Sequence, residues 1–300
     1  MVEIILWPIF VEAYHAISRC YVPVMDEKAA ECSLPERGGW LLLPALTFDP
    51  GIISAEKLRI RSPYTSARRY QAGLEELVAG GFLIVDPRND LAYRLSPAGR
   101  QVVLAVIQAG YDCMQTLQPL DAGELETLAK TLYKLVYACL DASEPPGQWS
   151  ISHSRRIDPG EDAPDMVRID QYLSDLAAYR DDSHLAAWQI HEIEGHAWEA
   201  LTVLWRKEPF TLDALCEQLA HRGFTTEEYQ TALADLIKRG WVNHDDGDYC
   251  LTELGAEVRE GTEADTDGYF YRPWLLFSDQ AIRNLQKQLS RLQTALDMGS

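Results

Sequence analysis

The apolar positions between residues 62 and 81 follow the period of an amphipathic helix. Apolar side chains recur at i, i+4, i+7 and i+8 on one face, as Tyr70, Leu74, Leu77 and Val78. Ser62-Pro63 offers an N-cap followed by proline at the first helical position, and Gly80-Gly81 ends the pattern. The sequence therefore predicts a helix over 63–79, preceded by a short helix that Ser54 caps.

Short apolar runs bounded by turn formers follow this helix. Phe82–Val85 and Leu91–Leu95 predict two strands joined by a turn over 86–90. Ser96-Pro97 then caps the next helix. Two helices joined by a tight turn and followed by a hairpin are the plan of a winged helix-turn-helix, whose second helix enters a DNA groove.

The same pattern returns in the second half at one constant offset. Tyr70–Phe82 corresponds to Tyr229–Trp241, with five identical positions. Thr211 caps a helix ending near Leu219, a turn follows, and Thr226–Arg239 forms the second helix before another hairpin. The register continues into the trailing helices, where Leu125, Leu128, Leu132 and Leu135 match Ile282, Leu285, Leu289 and Leu292.

The two copies predict a mainly α fold with small β wings. We expect two winged helix-turn-helix repeats with helical dimerisation-like segments, arranged as a pseudo-two-fold tandem. The N-terminal unit is expected over 1–145 and the C-terminal unit over 166–300, each with trailing helices. Residues 146–165 are rich in proline and acidic residues, which predicts a linker.

Each half resembles a MarR-type winged-helix regulator, and the whole chain resembles bacterial proteins that fuse two such units. The second likeness is carried by four segments: Pro145–Trp149, Ser154–Gly160, Arg180–Trp188 and Trp198–Arg206. The resemblance implies a two-fold arrangement on palindromic operators and a response to small aromatic or anionic ligands. Winged helices also serve in RNA binding and protein interaction, so the resemblance carries the fold further than the function.

The net charge of −19 argues against attraction of nucleic acid to the whole surface, so any such binding requires a local basic patch. Residues 57–100 hold eight basic and four acidic side chains, and they provide such a patch. The residues predicted to contact double-stranded DNA are Lys57, Arg59, Arg61, Ser62, Tyr64, Thr65, Ser66, Arg68, Arg69, Arg88 and Arg94. Arg68 or Arg69 could pair with guanine, the hydroxyls could bind phosphates, and Arg88 stands at the wing tip. The alternative is a solvated basic face without a ligand.

The second copy has the opposite charge. Residues 211–259 hold four basic and ten acidic side chains, with Glu227 and Glu228 at the helix start that would face phosphates. Like charges against a polyanion oppose binding. We therefore expect the second copy to have a structural, regulatory or protein-contact role.

Aromatic and cationic residues near the junction of the repeats predict a pocket for an anionic small-molecule effector. The candidates are Trp149, His153, Arg155, Arg156, Trp188 and Trp198. Ordinary packing of tryptophans beside a solvated arginine pair is the alternative.

Other chemistry finds little support in the sequence. His191 and His196 are five residues apart, so they do not share the helix face that a metalloprotease H-E-x-x-H motif needs. We expect no metal, cofactor or catalytic site, and no membrane partner. The six cysteines are scattered, and the N-terminus lacks the features of a signal peptide, which favours a cytoplasmic protein.

The leading hypothesis is a non-enzymatic, DNA-binding transcriptional regulator of MarR-like type that contacts DNA through its first copy. The alternative is a winged-helix protein that interacts with other proteins or senses a ligand without binding DNA.

Overall fold

The computed structural model describes residues 6–36, 38–206 and 210–299, so residues 1–5 and 300 of the two predicted units lie outside it. The fold is mainly helical with a few short antiparallel strands. The first half comprises α1 Trp7–Glu31, α2 Leu42–Phe48, β1 Ile53–Ser54, α3 Ala55–Arg61, α4 Ala67–Ala79, β2 Leu83–Asp86, β3 Asn89–Leu95, α5 Pro97–Met114 and α6 Ala122–Leu140. After the connecting helix α7 Trp149–Ser154, the second half comprises α8 Asp165–Gln189, α9 Gly195–Arg206, α10 Leu212–Gln218, α11 Thr226–Lys238, β4 Val242–Asp245, β5 Asp248–Leu251, α12 Glu253–Tyr271 and α13 Asp279–Gly299. Single 3-10 turns lie at Gly39–Leu41, Arg155–Ile157, Ala220–Arg222 and Pro273–Leu276.

The strands form two small antiparallel sheets. In the first half the order is β1-β3-β2, with Ile53 opposite Tyr93 and Leu83 opposite Leu95. In the second half β4 pairs with β5, and an isolated bridge joins Phe210 to Tyr249. Each hairpin follows the helix that the sequence places before it, as the turn residues predict.

The described residues pack into three hydrophobic cores. The central core joins helices of both halves, because Leu132 of α6, Leu176 of α8 and Leu289 of α13 are all fully buried in it. A second core lies beneath α4, and a third lies beneath α11. In the central core α1 packs against α13 and α8 packs against α6, so the two halves share one helical body.

The predicted linker over 146–165 is ordered and packed. Ile151 is fully buried in the central core. Asp182 holds the start of α7 by accepting the backbone N–H groups of Ser150 and Ile151, at 2.8 and 3.0 Å. A carboxylate at a helix N-terminus satisfies donors that have no partner within the helix. The segment therefore joins the two halves as part of their common body.

The helix caps confirm part of the local prediction and correct another part. Ser54, Ser96 and Thr211 each accept a backbone N–H at the start of the following helix, as expected. The helix expected over 63–79 instead begins at Ala67, because Ser66 is its cap. Residues 62–66 form the turn before it, and Ser62-Pro63 does not start the helix.

No helix in the described part of the chain is long and apolar enough to cross a membrane.

Candidate nucleic-acid interface

The first turn of α4 presents two adjacent arginines. Ser66 caps this helix because its Oγ accepts the backbone N–H of Arg69 at 3.3 Å. Arg68 and Arg69 are the second and third residues of the helix, and both are exposed. Guanidinium groups at the start of the second helix of a helix-turn-helix are placed to reach phosphates and base edges.

Part of the predicted basic patch is held by the first half itself. Lys57 Nζ donates to the carbonyl oxygen of Ile52 at 2.8 Å. Arg88 and Arg94 both pair with Asp86, whose side chain is 3% exposed. Hydrogen bonds from the backbone N–H of Arg88 and the side chain of Arg94 hold the pKa of Asp86 below its ordinary value. Arg88 itself remains 80% exposed at the hairpin tip.

Three other arginines of the patch pair with acidic residues of the second half. These pairs are Arg59 with Glu194, Arg61 with Asp181, and Arg68 with Glu228. Arg68 engages both carboxylate oxygens of Glu228, and its Nε donates to the carbonyl oxygen of Gly223 at 2.7 Å. The hydrogen bond from Arg68 lowers the pKa of Glu228, which keeps the pair ionised.

The backbones of the two turns also meet. The Ser66 N–H donates to the carbonyl oxygen of Arg222 at 2.9 Å, and Arg222 Nη1 donates to Thr65 Oγ1 at 3.4 Å. Thr65 and Ser66 are only 5% and 3% exposed. The hydroxyls predicted to bind phosphates therefore face the second half here. We call the contact between residues 62–69 and residues 222–228 the turn–turn contact.

Two glycines allow the halves to approach this closely. Gly223 has φ of 75°, and a Cβ there would lie 2.9 Å from Arg69 Cβ. A Cβ on Gly195, the first residue of α9, would lie 2.6 Å from the backbone oxygen of Pro63. Real Cβ atoms do not approach that closely, so a side chain at Gly195 requires the two backbones to separate.

Tyr64 anchors the edge of the turn–turn contact. Its hydroxyl accepts the indole N–H of Trp188 at 2.9 Å, and the two rings lie 6.0 Å apart. Burial raises the pKa of Tyr64, so its hydroxyl stays protonated. Ser62 uses its carbonyl oxygen to accept the hydroxyl of Tyr70 at 3.5 Å. Of the residues predicted to contact DNA, Arg69 and Arg88 have the side chains most available to a ligand. Within the described residues the Arg69 guanidinium forms no hydrogen bond or ion pair.

The equivalent helix of the second half begins with acidic residues. Thr225 and Glu228 form a reciprocal capping box at the start of α11, and Glu227 beside them is exposed. The hairpin tip carries Asp245 and Asp246, which are also exposed. Glu228 thus takes part in the capping box and in the ion pair with Arg68 at the same time.

An aromatic cavity of about 540 Å³ lies beside the turn–turn contact, between the first half, α7 and α8. Its aromatic and imidazole walls are Trp40, Phe48, Tyr64, Tyr70, Trp149 and His153. Trp149 and His153 stack with ring centroids 3.7 Å apart, and burial lowers the pKa of His153. The charged residues among the described lining, Arg61 and Asp181, pair with each other. The lining therefore offers aromatic contact without a net positive charge.

The residues predicted to form a junction pocket separate into several places. Trp149 and His153 line the cavity. Arg155 pairs with Asp175 and Asp158, and Arg156 donates to the carbonyl oxygen of Asp49 at 3.1 Å. Trp188 and Trp198 stack 5.6 Å apart within the third core. The cause is that Trp149 and His153 face Phe48 of the first half, whereas Trp188 at the end of α8 lies in the third core.

The histidines of the His191–His196 segment pack on aromatic rings. His191 stacks on Trp198 at 5.8 Å, and His196 stacks on Phe224 at 4.4 Å. Among the described residues, no three His, Cys, Asp or Glu side chains are grouped so that they could hold a metal ion.

Sequence reasoning identified the basic patch and missed its partners. Asp181, Glu194 and Glu228 lie far from the patch in sequence, and local patterns do not pair distant charges. One signal was present: Arg68 and Arg69 correspond in the repeat to Glu227 and Glu228. Opposite charges at equivalent positions can meet when two copies face each other across a two-fold axis.

Comparison with known proteins supports a helix-turn-helix domain in the second half. Residues 171–299 match the model of a helix-turn-helix family. This region contains α10 and α11, and therefore the acidic copy. Searches of curated proteins and of solved structures gave no significant match.

Proposed function

We propose that the chain is a non-enzymatic, MarR-like transcriptional regulator built from two winged helix-turn-helix units. Its first unit contacts double-stranded DNA through the start of α4 and through the hairpin tip. The acidic second unit has a structural and regulatory role. The observation that carries this proposal is the exposed pair Arg69 and Arg88, at the two positions where winged helices meet phosphates.

The order of elements supports the tandem part of the proposal. A long helix, three shorter helices, a hairpin and two long helices follow one another in each half. The pairing of α1 with α13 matches that of α8 with α6, as expected for equivalent surfaces around a pseudo-two-fold axis. The family match over 171–299 supports the helix-turn-helix character of one unit, and the repeat extends it to the other.

A mobility-shift titration with randomised duplex DNA at several salt concentrations tests DNA binding. The test variant is Arg69→Ala/Arg88→Ala, since neither side chain pairs with the second half. We expect weaker binding and a salt dependence whose slope falls by about 1 for each phosphate that is no longer neutralised. Arg68→Ala is unsuitable alone, because it also removes the ion pair with Glu228.

The matched control is Lys134→Ala/Lys287→Ala, which removes the same charge from exposed positions on α6 and α13. It should bind like the unaltered chain. Equal weakening by both variants, or no binding at the lowest salt, contradicts the proposal. The role would then be the alternative one, protein interaction or ligand sensing without DNA.

The aromatic cavity favours ligand sensing as the second candidate function. Because Arg61 and Asp181 pair with each other and Arg155 and Arg156 are engaged elsewhere, the lining suits an uncharged aromatic molecule better than an anion. Trp149 forms part of the wall, so binding should quench its fluorescence. A titration series of uncharged and anionic aromatic compounds, repeated with Trp149→Phe, tests this candidate.

A further inference from the structure

We propose that the turn–turn contact is autoinhibitory: the acidic second unit occupies the DNA-binding face of the first, and DNA binding requires the two units to separate there. This inference rests on the proposed function.

The contact and a DNA duplex compete for the same groups. Glu228 engages the Arg68 guanidinium through both carboxylate oxygens, which is the fork geometry that a phosphate would adopt. The carbonyl oxygen of Arg222 holds the Ser66 N–H at the start of α4. A recognition helix must enter a groove about 12 Å wide. The start of α4 has no such space around it, because the Ser66 N–H is hydrogen-bonded to Arg222 of the second half. Both states cannot exist together.

This arrangement explains why the two copies of the repeat differ in charge. The helix start that is basic in the first unit is acidic in the second, and the two starts face each other. Like charges at both positions would repel, whereas opposite charges close the contact. Asp181 and Glu194 extend the same complementarity to Arg61 and Arg59.

The contact is also built so that it can open. Its ion pairs are partly exposed, with side-chain exposures of 51% and 39% for Arg68 and Glu228. Such pairs contribute little net stability and weaken with salt. The shared central core lies elsewhere, so separation at the turns leaves it intact.

The first test removes one charge. Glu228→Gln keeps a side chain that can complete the capping box with Thr225, and it abolishes the ion pair with Arg68. The matched control is Glu227→Gln, an equal charge change at the exposed neighbour on the same helix turn. If opening limits binding, Glu228→Gln tightens randomised duplex DNA by roughly three- to tenfold, as the competent population rises. Glu227→Gln changes the affinity less than twofold, about the effect of one distant charge.

The second test separates the backbones. Gly195→Ala forces Pro63 away, and Gly261→Ala is its control, because a Cβ at that helical position meets nothing within 4 Å. Hydrogen exchange of the peptide containing Ser66 reports opening directly, since that N–H donates to Arg222 across the contact. We expect faster exchange there in Glu228→Gln and in Gly195→Ala, tighter DNA binding in both, and neither change in the controls.

Three outcomes overturn the inference, and they are distinguishable. Unchanged exchange in both test variants means that these groups do not hold the units together. Faster exchange with unaltered DNA affinity means that the contact does not exclude DNA, while the proposed function stands. Faster exchange with no DNA binding by any protein refutes the proposed function and autoinhibition together.

Discussion

The two halves of the chain share the same internal hydrogen bonds after their hairpins and differ on their outer faces. After each hairpin, Ser96 or Thr252 caps the next helix. The Ser96 hydroxyl donates to the carbonyl oxygen of Gly81, and the Thr252 hydroxyl donates to that of Gly240; each glycine lies between the preceding helix and the hairpin. Gly99 and Gly255 then pack directly against the backbone of the residue before the hairpin, Phe82 or Trp241. A Cβ would lie 2.0 or 2.2 Å from the backbone oxygen there.

The outer faces have diverged into complementary surfaces. The start of α4 carries arginines and the start of α11 carries glutamates, and they meet in the turn–turn contact. The positions that pack the fold have been retained, and the positions that meet solvent or a partner have changed charge. Repetition of a fold therefore does not imply repetition of its binding activity.

The largest loss of stability is expected when equivalent buried leucines of the two halves are truncated. Leu74 and Leu233 correspond in the repeat and are 0% and 1% exposed. We expect Leu74→Ala and Leu233→Ala each to cost about 2–5 kcal/mol, from reduced burial and a residual cavity. Urea unfolding measures both. Leu104→Ala and Leu254→Ala, which truncate half-exposed leucines, serve as controls and should cost within about 0.5 kcal/mol. A negligible effect at Leu233 would show that the third core is dispensable and that the two halves are not equivalent.

The repeat made these elements predictable, because hydrophobic period, caps and turn residues are local signals. The start of α4 was not, since Ser62-Pro63 and Ser66 are both plausible caps in isolation. Ser66 caps the helix in the structure, and its N–H bonds to Arg222, more than a hundred residues away. Local sequence contains no information on that partner.

The candidate site shows the same limit. The basic patch was visible as composition, but three of its arginines are paired with Asp181, Glu194 and Glu228, which are more than a hundred residues away in sequence. The aromatic cavity likewise joins Trp149 and His153 to Trp40 and Tyr70, not to Trp188. Sequence proximity at the junction did not predict spatial proximity, because Trp149 lies against Phe48 of the first half, whereas Trp188 at the end of α8 packs in the third core.

We expect a loss of stability of intermediate size in the second half when the pH is lowered. His184 beside the third core accepts the indole N–H of Trp198 through Nε2 at 3.3 Å, so its Nδ1–H donates to Thr266. Burial lowers the pKa of His184 to about 4. The unfolded chain gains this proton near pH 6.5 and the folded chain only near 4, so stability falls as the pH decreases between these values, by at most about 3 kcal/mol.

His184→Gln measures this contribution, because it removes the titrating group. The variant should lose less stability than the unaltered chain between pH 6.5 and 4, with the difference located by hydrogen exchange in the second unit. Parallel pH profiles for the two proteins would show that His184 does not titrate abnormally.

The smallest loss of stability is expected from the helix caps, and it tests whether the caps of α4 and α11 stabilise their helices equally. Ser66 accepts the N–H of Arg69, and Thr225 accepts that of Glu228. We expect Ser66→Ala and Thr225→Ala each to cost about 1 kcal/mol in urea unfolding, whereas Thr225→Ser costs a few tenths and Ser66→Thr costs more. Thr225 is exposed, so its exchange for serine changes only the cap. Ser66 is 3% exposed within the turn–turn contact, and a Cβ on Gly223 would lie 2.9 Å from its Oγ, so an added methyl has little room there. A larger cost for Ser66→Thr than for Thr225→Ser would therefore measure the contact itself, and equal costs would show that the turns yield at little expense.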